Sequence, residues 1–509
     1  PKGLTEVVIP AIYNGKAVSS IASVAFENYS SIVSITIPDS VTNIEKYAFS
    51  DCTGLTGVYI TNLAKWCEIS FQDFSSNPLY YAKNLYLNGK PVTGLVIPDG
   101  VTGIGEYAFY GCTGLTSVTI PDSMTSIGKL AFYGCTGLTG VYITDLAKWC
   151  EISFQRYVAN PLYYARNLYL NGKPVTSLVI PDGVTGIGVC AFMNCTGLTS
   201  ITMPDSVTSI GYEGFSGCTG LTSVTIPDSM TSIGYAAFSG CTCLTDITMP
   251  SSATSSAMSI GDRAFEKCTG LTGVTIGNSV TSIGEYAFSG CTGLTSATIG
   301  SNVTSIGARA FNDCAGLISI TIPDSVTSIG EFAFYYCTGL TNVAIGSGVT
   351  SIGYGTFQNC TGLTSITIPD SVTSIGNAFQ NCTGLTSITL PFIGSKADGT
   401  GETYFGYIFG SSWDWSSQYV PASLKTVVIT GETSIRENAF EGCAGLESIT
   451  IGNSVTSIGH GAFKKCTGLT DITFIGTQAQ WNAISKGSGW DDNTGAYTIH
   501  CTDGDIAKS

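Results

Sequence analysis

TSIGEYAFSGCTGLTS, residues 281–296, is the stretch from which the rest of the chain can be read. Its Gly284, Ala287, Phe288 and Cys291 return at the same spacing along the whole sequence. Aligned on the position of Leu294, unit starts run from Leu4 to Leu469 and number 19, most of them 23 residues apart. One complete unit is LTSVTIPDSMTSIGKLAFYGCTG, Leu115 to Gly137. A fixed period of this length marks a repeat architecture.

Each part of the unit has a local reading. In LTSVTI the alternation puts Val118 and Ile120 on one side and Thr119 on the other, as in a short strand. The IPDS, IPDG or IGNS that follows is turn chemistry, and its proline has no N–H to continue a ladder. VTSIG is a second short extended piece. The segment xxAFxxC is too short for a full helix and reads as one or two helical turns. One unit cannot bury its own Leu, Val, Ile, Ala and Phe, but stacked units close a continuous core. The expected fold is therefore a repeat solenoid of short parallel strands and short helical turns, forming a single domain over 1–509.

Composition agrees with a surface covered by hydroxyls and backbone. Charged residues make up 11% of the chain, against roughly 25% in an average soluble protein. The net charge of −15 disfavours nucleic acid and anionic membranes as partners. No apolar run approaches the ~20 residues that span a bilayer, so no membrane insertion is expected. The chain opens at PKGLTEVVIP, already inside a repeat, and reads as one whose targeting segment has been removed.

Of the 19 cysteines, 14 occupy the position of Cys291. Neighbouring coils of a parallel ladder lie ~4.8 Å apart. A disulfide needs Cβ atoms ~3.5–4.5 Å apart in a twisted geometry, which side chains in register satisfy poorly. Zinc needs ligands converging from several directions, which a single file does not offer. The column is expected to be a packed, reduced thiol ladder. Cys67, Cys150, Cys190, Cys243 and Cys501 stand outside it, and an exposed thiol is to be sought among these five.

Three stretches break the period. Residues 57–128 and 140–211 are near-copies, identical at 58 of 72 positions, and carry inserts at 59–91 and 142–174. LAKWCEI reads as an amphipathic helix with Leu63, Trp66 and Ile69 on one face, and LYLNGKPV as a strand entering an Asn-Gly turn. The copies differ most at Asp73–Ser76 against Arg156–Ala159, which suggests an exposed tip. The third insert, 391–423, gathers Tyr404, Phe405, Tyr407, Phe409, Trp413, Trp415 and Tyr419. Such rings could stack on sugars or anchor a protein, although packing onto the solenoid is the simpler reading. Residues 470–509 lose the pattern, and their Trp481, Ile484 and Trp490 are expected to cap the core.

Little in the chain suggests chemistry. The two histidines, His460 and His500, are far apart in sequence, and no phosphate-loop or calcium-loop spacing is present. The expectation is no catalytic residue, no cofactor and no metal.

The pattern L-x-x-[VI]-x-[IM]-P-x-S-V-x-x-I-G-x-x-A-F-x-x-C resembles that of the BspA-like leucine-rich repeat proteins. The inserts, the FGYIFG loop and the GTQAQWNAIS…HCTDG end are also similar to segments of bacterial members. The resemblance implies a right-handed leucine-rich-repeat superhelix on secreted or surface-anchored bacterial proteins. It also implies adhesion to extracellular-matrix or other cell-surface proteins. On this reading the strand face, with Ser117, Thr119, Ser223, Thr225, Ser365 and Thr367, is the contact surface. The alternatives are a glycan-binding module using Tyr404, Tyr407, Trp413 and Trp415 of the loop 404–419 and tyrosines such as Tyr335 and Tyr336, and a structural spacer.

Overall fold

The computed structural model describes residues 4–251, 256–411 and 417–508. The chain forms two compact units, Pro1–Ser229 with Gly234–Cys243 and Met230–Ile233 with Leu244–Ser509. Each is a β-solenoid whose coils present three rows: a front strand row, a second strand row and a turn row.

The rows of the second unit show the rule. Gly273–Ile276, Ser296–Ile299, Ser319–Ile322 and Asn342–Ile345 pair in parallel along the front. Val274, Ala297, Ile320 and Val343 lie in register there. The burial of Ser296–Ile299 alternates exposed, buried, exposed, buried, so Ala297 and Ile299 enter the core while Ser296 and Thr298 face water. Ser305–Ile306, Ser328–Ile329, Ser351–Ile352 and Ser374–Ile375 form the second row.

The turn row departs from the expected helical turns. Ala287, Ser289 and Cys291 close local turns onto Gly284, Tyr286 and Phe288, while the intervening amides of Tyr286, Phe288 and Gly290 donate to Ala308, Ala310 and Asn312 of the next coil. Alternation between local and inter-coil bonds needs two left-handed residues, Tyr286 at φ 55° and Gly290 at φ 73°. These stop a helix from propagating. A side chain in that conformation costs about 1–2 kcal/mol, and the inter-coil bonds it permits offset the cost.

Inside, like stacks on like. Phe265, Phe288, Phe311, Phe334 and Phe357 follow one another at ring separations of 5.3, 5.3, 5.5 and 5.5 Å, all nearly parallel. Phe192, Phe215 and Phe238 repeat this in the first unit at 5.2 and 5.3 Å.

The inserts turn out to be enlarged coils that keep the register. Leu63–Glu68 and Leu146–Glu151 are helices, with Leu63, Trp66, Cys67 and their counterparts buried. Trp66 Nε1 donates to the Ala108 carbonyl at 2.9 Å. Ser70–Phe71 then joins the second row and Leu85–Leu87 the front row. Asn88 and Gly89, both at positive φ, turn the chain into the antiparallel Lys90–Pro91. The expected tip at 73–76 is a 3-10 turn with its second half buried. Asp73 accepts hydrogen bonds from the Ser76 amide (2.7 Å) and the Ser75 hydroxyl (2.9 Å). In the other copy Arg156 cannot cap, and the buried serines are replaced by Val158 and Ala159. The clustered differences are thus one coupled exchange of a polar cap for an apolar one.

The loop 391–423 supplies the missing rings of its coil: Phe409 lies 6.3 Å from Phe379, and Phe405 lies 4.9 Å from Phe440. The C-terminal stretch does likewise, with Trp490 placed 6.0 Å from Phe463 and Trp481 and Ile484 buried.

Candidate binding surfaces

Thiol chemistry is closed off in the repeat column. All 14 repeat cysteines are buried and free. Their thiols reach back one coil: Cys291 donates to the Phe265 carbonyl and Cys314 to the Phe288 carbonyl, each at 3.2 Å. Burial pushes the Cys291 and Cys337 thiols up to about 12, so neither forms a thiolate at neutral pH. Of the other five, Cys67, Cys150 and Cys190 are buried, Cys501 is half-buried and Cys243 is exposed. Among the described residues no group of three His, Cys, Asp or Glu could hold a metal ion. His460 is exposed. His500 sits between Asp471 (2.9 Å) and Asp505 (3.0 Å).

The hydroxyls divide into two populations that composition does not separate. Threonines at the coil edges are engaged: Thr199 and Thr222 donate to the Thr176 and Thr199 carbonyls at 2.9 and 3.1 Å, and Thr304 and Thr327 to the Thr281 and Thr304 carbonyls at 3.1 and 3.2 Å. Front-row side chains are engaged at a few places, as where the Ser200 hydroxyl donates to that of Ser177 at 2.9 Å, but not at the middle of the row. Among the described residues, Ser296, Thr298, Ser319 and Thr321 are exposed and make no side-chain hydrogen bond within the chain. The same holds for Ser223, Thr225, Ser365 and Thr367. Ser117 and Thr119 lie on one strand of the first unit, half-buried on either side of buried Val118.

Tyr404 and Tyr407 lie in the second unit. Tyr404 is 5% exposed, and its hydroxyl donates to the Ser411 carbonyl at 3.3 Å. Tyr407 is half-buried, and burial raises its phenol pKa. Trp413 and Trp415 lie outside the described residues.

Sequence reading missed two tyrosine stacks on the front of the first unit, Tyr59 on Tyr86 at 4.5 Å and Tyr142 on Tyr169 at 4.6 Å. Gly57 and Gly140 make room for them: a Cβ at Gly140 would lie 2.9 Å from the Tyr169 ring. Where ordinary coils carry Ser, as at Ser117, the stacked coils carry Gly. That pairing of Gly with Tyr two residues on was the available signal.

The sequence profile of the BspA type leucine rich repeat region matches residues 3–78, 80–158, 165–259, 258–386 and 418–486. Among solved structures, a leucine-rich repeat protein from Bacteroides ovatus is similar at 24% identity, over 97% of this chain and 91% of that one, with a TM-score of 0.40. A leucine rich cell surface protein from Faecalibacterium prausnitzii is similar at 24% identity, over 95% and 91%, with a TM-score of 0.29. A leucine-rich repeat protein from Eubacterium ventriosum is similar at 21% identity, over 74% and 82%, with a TM-score of 0.41. No curated protein matches the chain.

Proposed function

Since the chain belongs to the BspA-type leucine-rich-repeat family, whose repeat matches most of its length, we propose that it is a non-enzymatic binding protein of the cell surface or secreted space. In this reading it is an adhesin that contacts extracellular-matrix or other cell-surface proteins through its front strand row. The supporting observation is the division of hydroxyls. The edge threonines hold coil to coil, while front-row Ser296, Thr298, Ser319 and Thr321 are exposed and have no side-chain hydrogen-bond partner among the described residues. A side chain with both donor and acceptor capacity, repeated on a rigid ladder, suits a broad surface of many weak bonds. The buried thiols, raised well out of the reactive range, and the absence of a metal-holding group among the described residues fit a surface that binds without reacting.

The loop reading has less support, because Phe405, Phe409 and Tyr404 are taken up by the core. The test is a binding screen of the whole chain against immobilised matrix proteins. Saturable binding to at least one is expected. Uniform failure, with glycans also unbound, would leave a structural spacer as the better account.

A further inference from the structure

The turn row of the second unit carries a feature unrelated to the front row. At one repeat position, 23 residues apart, stand Arg263, Tyr286, Arg309 and Phe332, cation alternating with ring. All four have positive φ, between 55° and 57°, so the backbone aims four long side chains alike. The Arg263 guanidinium carbon lies 4.4 Å from the Tyr286 ring centre. That of Arg309 lies 5.7 Å from Tyr286, 4.4 Å from Phe332 and 5.9 Å from Tyr335.

The two arginines are alike in backbone and charge but unlike in their partners. Three residues after Arg263 comes Glu266, which pairs with it at 3.0 Å. Three residues after Arg309 comes Asn312, whose amide donates instead to the Ser289 hydroxyl at 3.1 Å. Among the described residues the Arg309 guanidinium meets rings and neither a carboxylate nor another hydrogen-bond acceptor. A guanidinium lying on rings keeps its N–H edge free in a fixed plane, the arrangement that suits two-point recognition of a carboxylate. Further rings surround it. Phe332 touches Tyr335 at 5.3 Å and Tyr354 at 5.2 Å, and Tyr335 touches Tyr336 at 4.5 Å. Tyr336 and Tyr354 are 45% and 46% exposed, enough for a ring face or edge to meet a ligand.

We propose that Arg309, with Phe332, Tyr335, Tyr336 and Tyr354, forms a carbohydrate site for glycans that end in a carboxylate-bearing sugar. Arg309 would hold the carboxylate, and the tyrosines would take the apolar face of the pyranose and its hydroxyls. An acidic protein is the less suitable occupant. The chain's charge of −15 repels a partner of many like charges, whereas a terminal sugar brings one. This site stands apart from the front row, and either can exist without the other.

The experiment titrates the whole chain with sialyllactose, a glucuronate-ended disaccharide and lactose, and with a short poly-glutamate peptide. At least one acidic sugar should bind, with lactose at least tenfold weaker. Arg309→Gln should weaken that binding at least tenfold, and Arg309→Lys, which keeps charge but not the fork, should weaken it by less. Arg263→Gln should leave it unchanged, and circular dichroism of each variant checks the fold. The proposal is overturned if lactose binds equally, if neither acidic sugar saturates, if Arg309→Gln binds as before, or if the peptide alone binds at Arg309.

Discussion

Truncating a ring in the middle of the phenylalanine column tests whether coils hold one another by stacking. Phe288 is fully buried, with Phe265 and Phe311 each 5.3 Å away at interplanar angles of 11° and 8°. Phe288→Ala should cost about 3–5 kcal/mol for the ring and the cavity left behind. Roughly 0.5–1.5 kcal/mol of that belongs to each stacked pair. Phe26 is half-buried and, among the described residues, stacks on Phe49 alone, at 5.2 Å, with Tyr29 meeting it edge-on at 6.4 Å. Phe26→Ala should therefore cost less than half as much, about 1–2 kcal/mol. Repeat arrays open locally, so the readout is hydrogen–deuterium exchange of peptides covering 284–314. The amides of Phe288 and Phe311 donate to the next coil at 2.7 and 2.8 Å. In Phe288→Ala their protection should fall by about two to three and a half powers of ten, at 1.4 kcal/mol per tenfold. Equal losses for Phe288→Ala and Phe26→Ala, or less than a tenfold change at 284–314, would refute the stacking argument.

The thiols offer a second check: a disulfide-type reagent should label Cys243 first and Cys501 more slowly in native protein, and the buried remainder only after denaturation without reductant. Asp73→Ala should cost about 1 kcal/mol in thermal or urea unfolding because it removes the cap over Ser75 and Ser76, whereas Arg156→Ala, which caps nothing, should be close to neutral. His500 has its folded pKa raised by hydrogen bonds to Asp471 and Asp505. Its contribution is therefore full below the unfolded value of about 6.5 and lost as pH rises through the raised folded value. The protection of amides in the hairpin Thr498–Cys501 and Gly504–Ala507, relative to their pH-dependent intrinsic exchange rates, should fall across that window. His500→Gln should remove the dependence.

What could be read from the sequence was what repeats. The period, the V-T-I alternation and the cysteine column follow from residues that do the same work in every coil, so each copy corroborates the next. The turn row was misjudged because the left-handed position is filled by Tyr286, Arg309 or Leu130 rather than mainly by glycine, and nothing in such residues announces a positive φ. The long inserts looked like departures because their ring-bearing residues sit at other spacings. Only in three dimensions do Phe405, Phe409 and Trp490 fall into the phenylalanine column. The alternation places Ser and Thr on the strand face, but they recur in every part of the unit, and sequence alone does not separate the engaged from the free.

That separation gives the most direct test of the proposed binding surface. Two variants of the whole chain should be compared for binding to a matrix protein recognised in the screen, and for thermal stability. Thr298→Arg with Thr321→Arg alters the exposed front row. Thr304→Ala with Thr327→Ala removes bonds that join coil to coil. The front-row variant should lose binding at least tenfold with its melting temperature kept, and the edge variant should melt earlier while binding as before. A front-row variant that binds like the parent would contradict the assignment of the contact to this face.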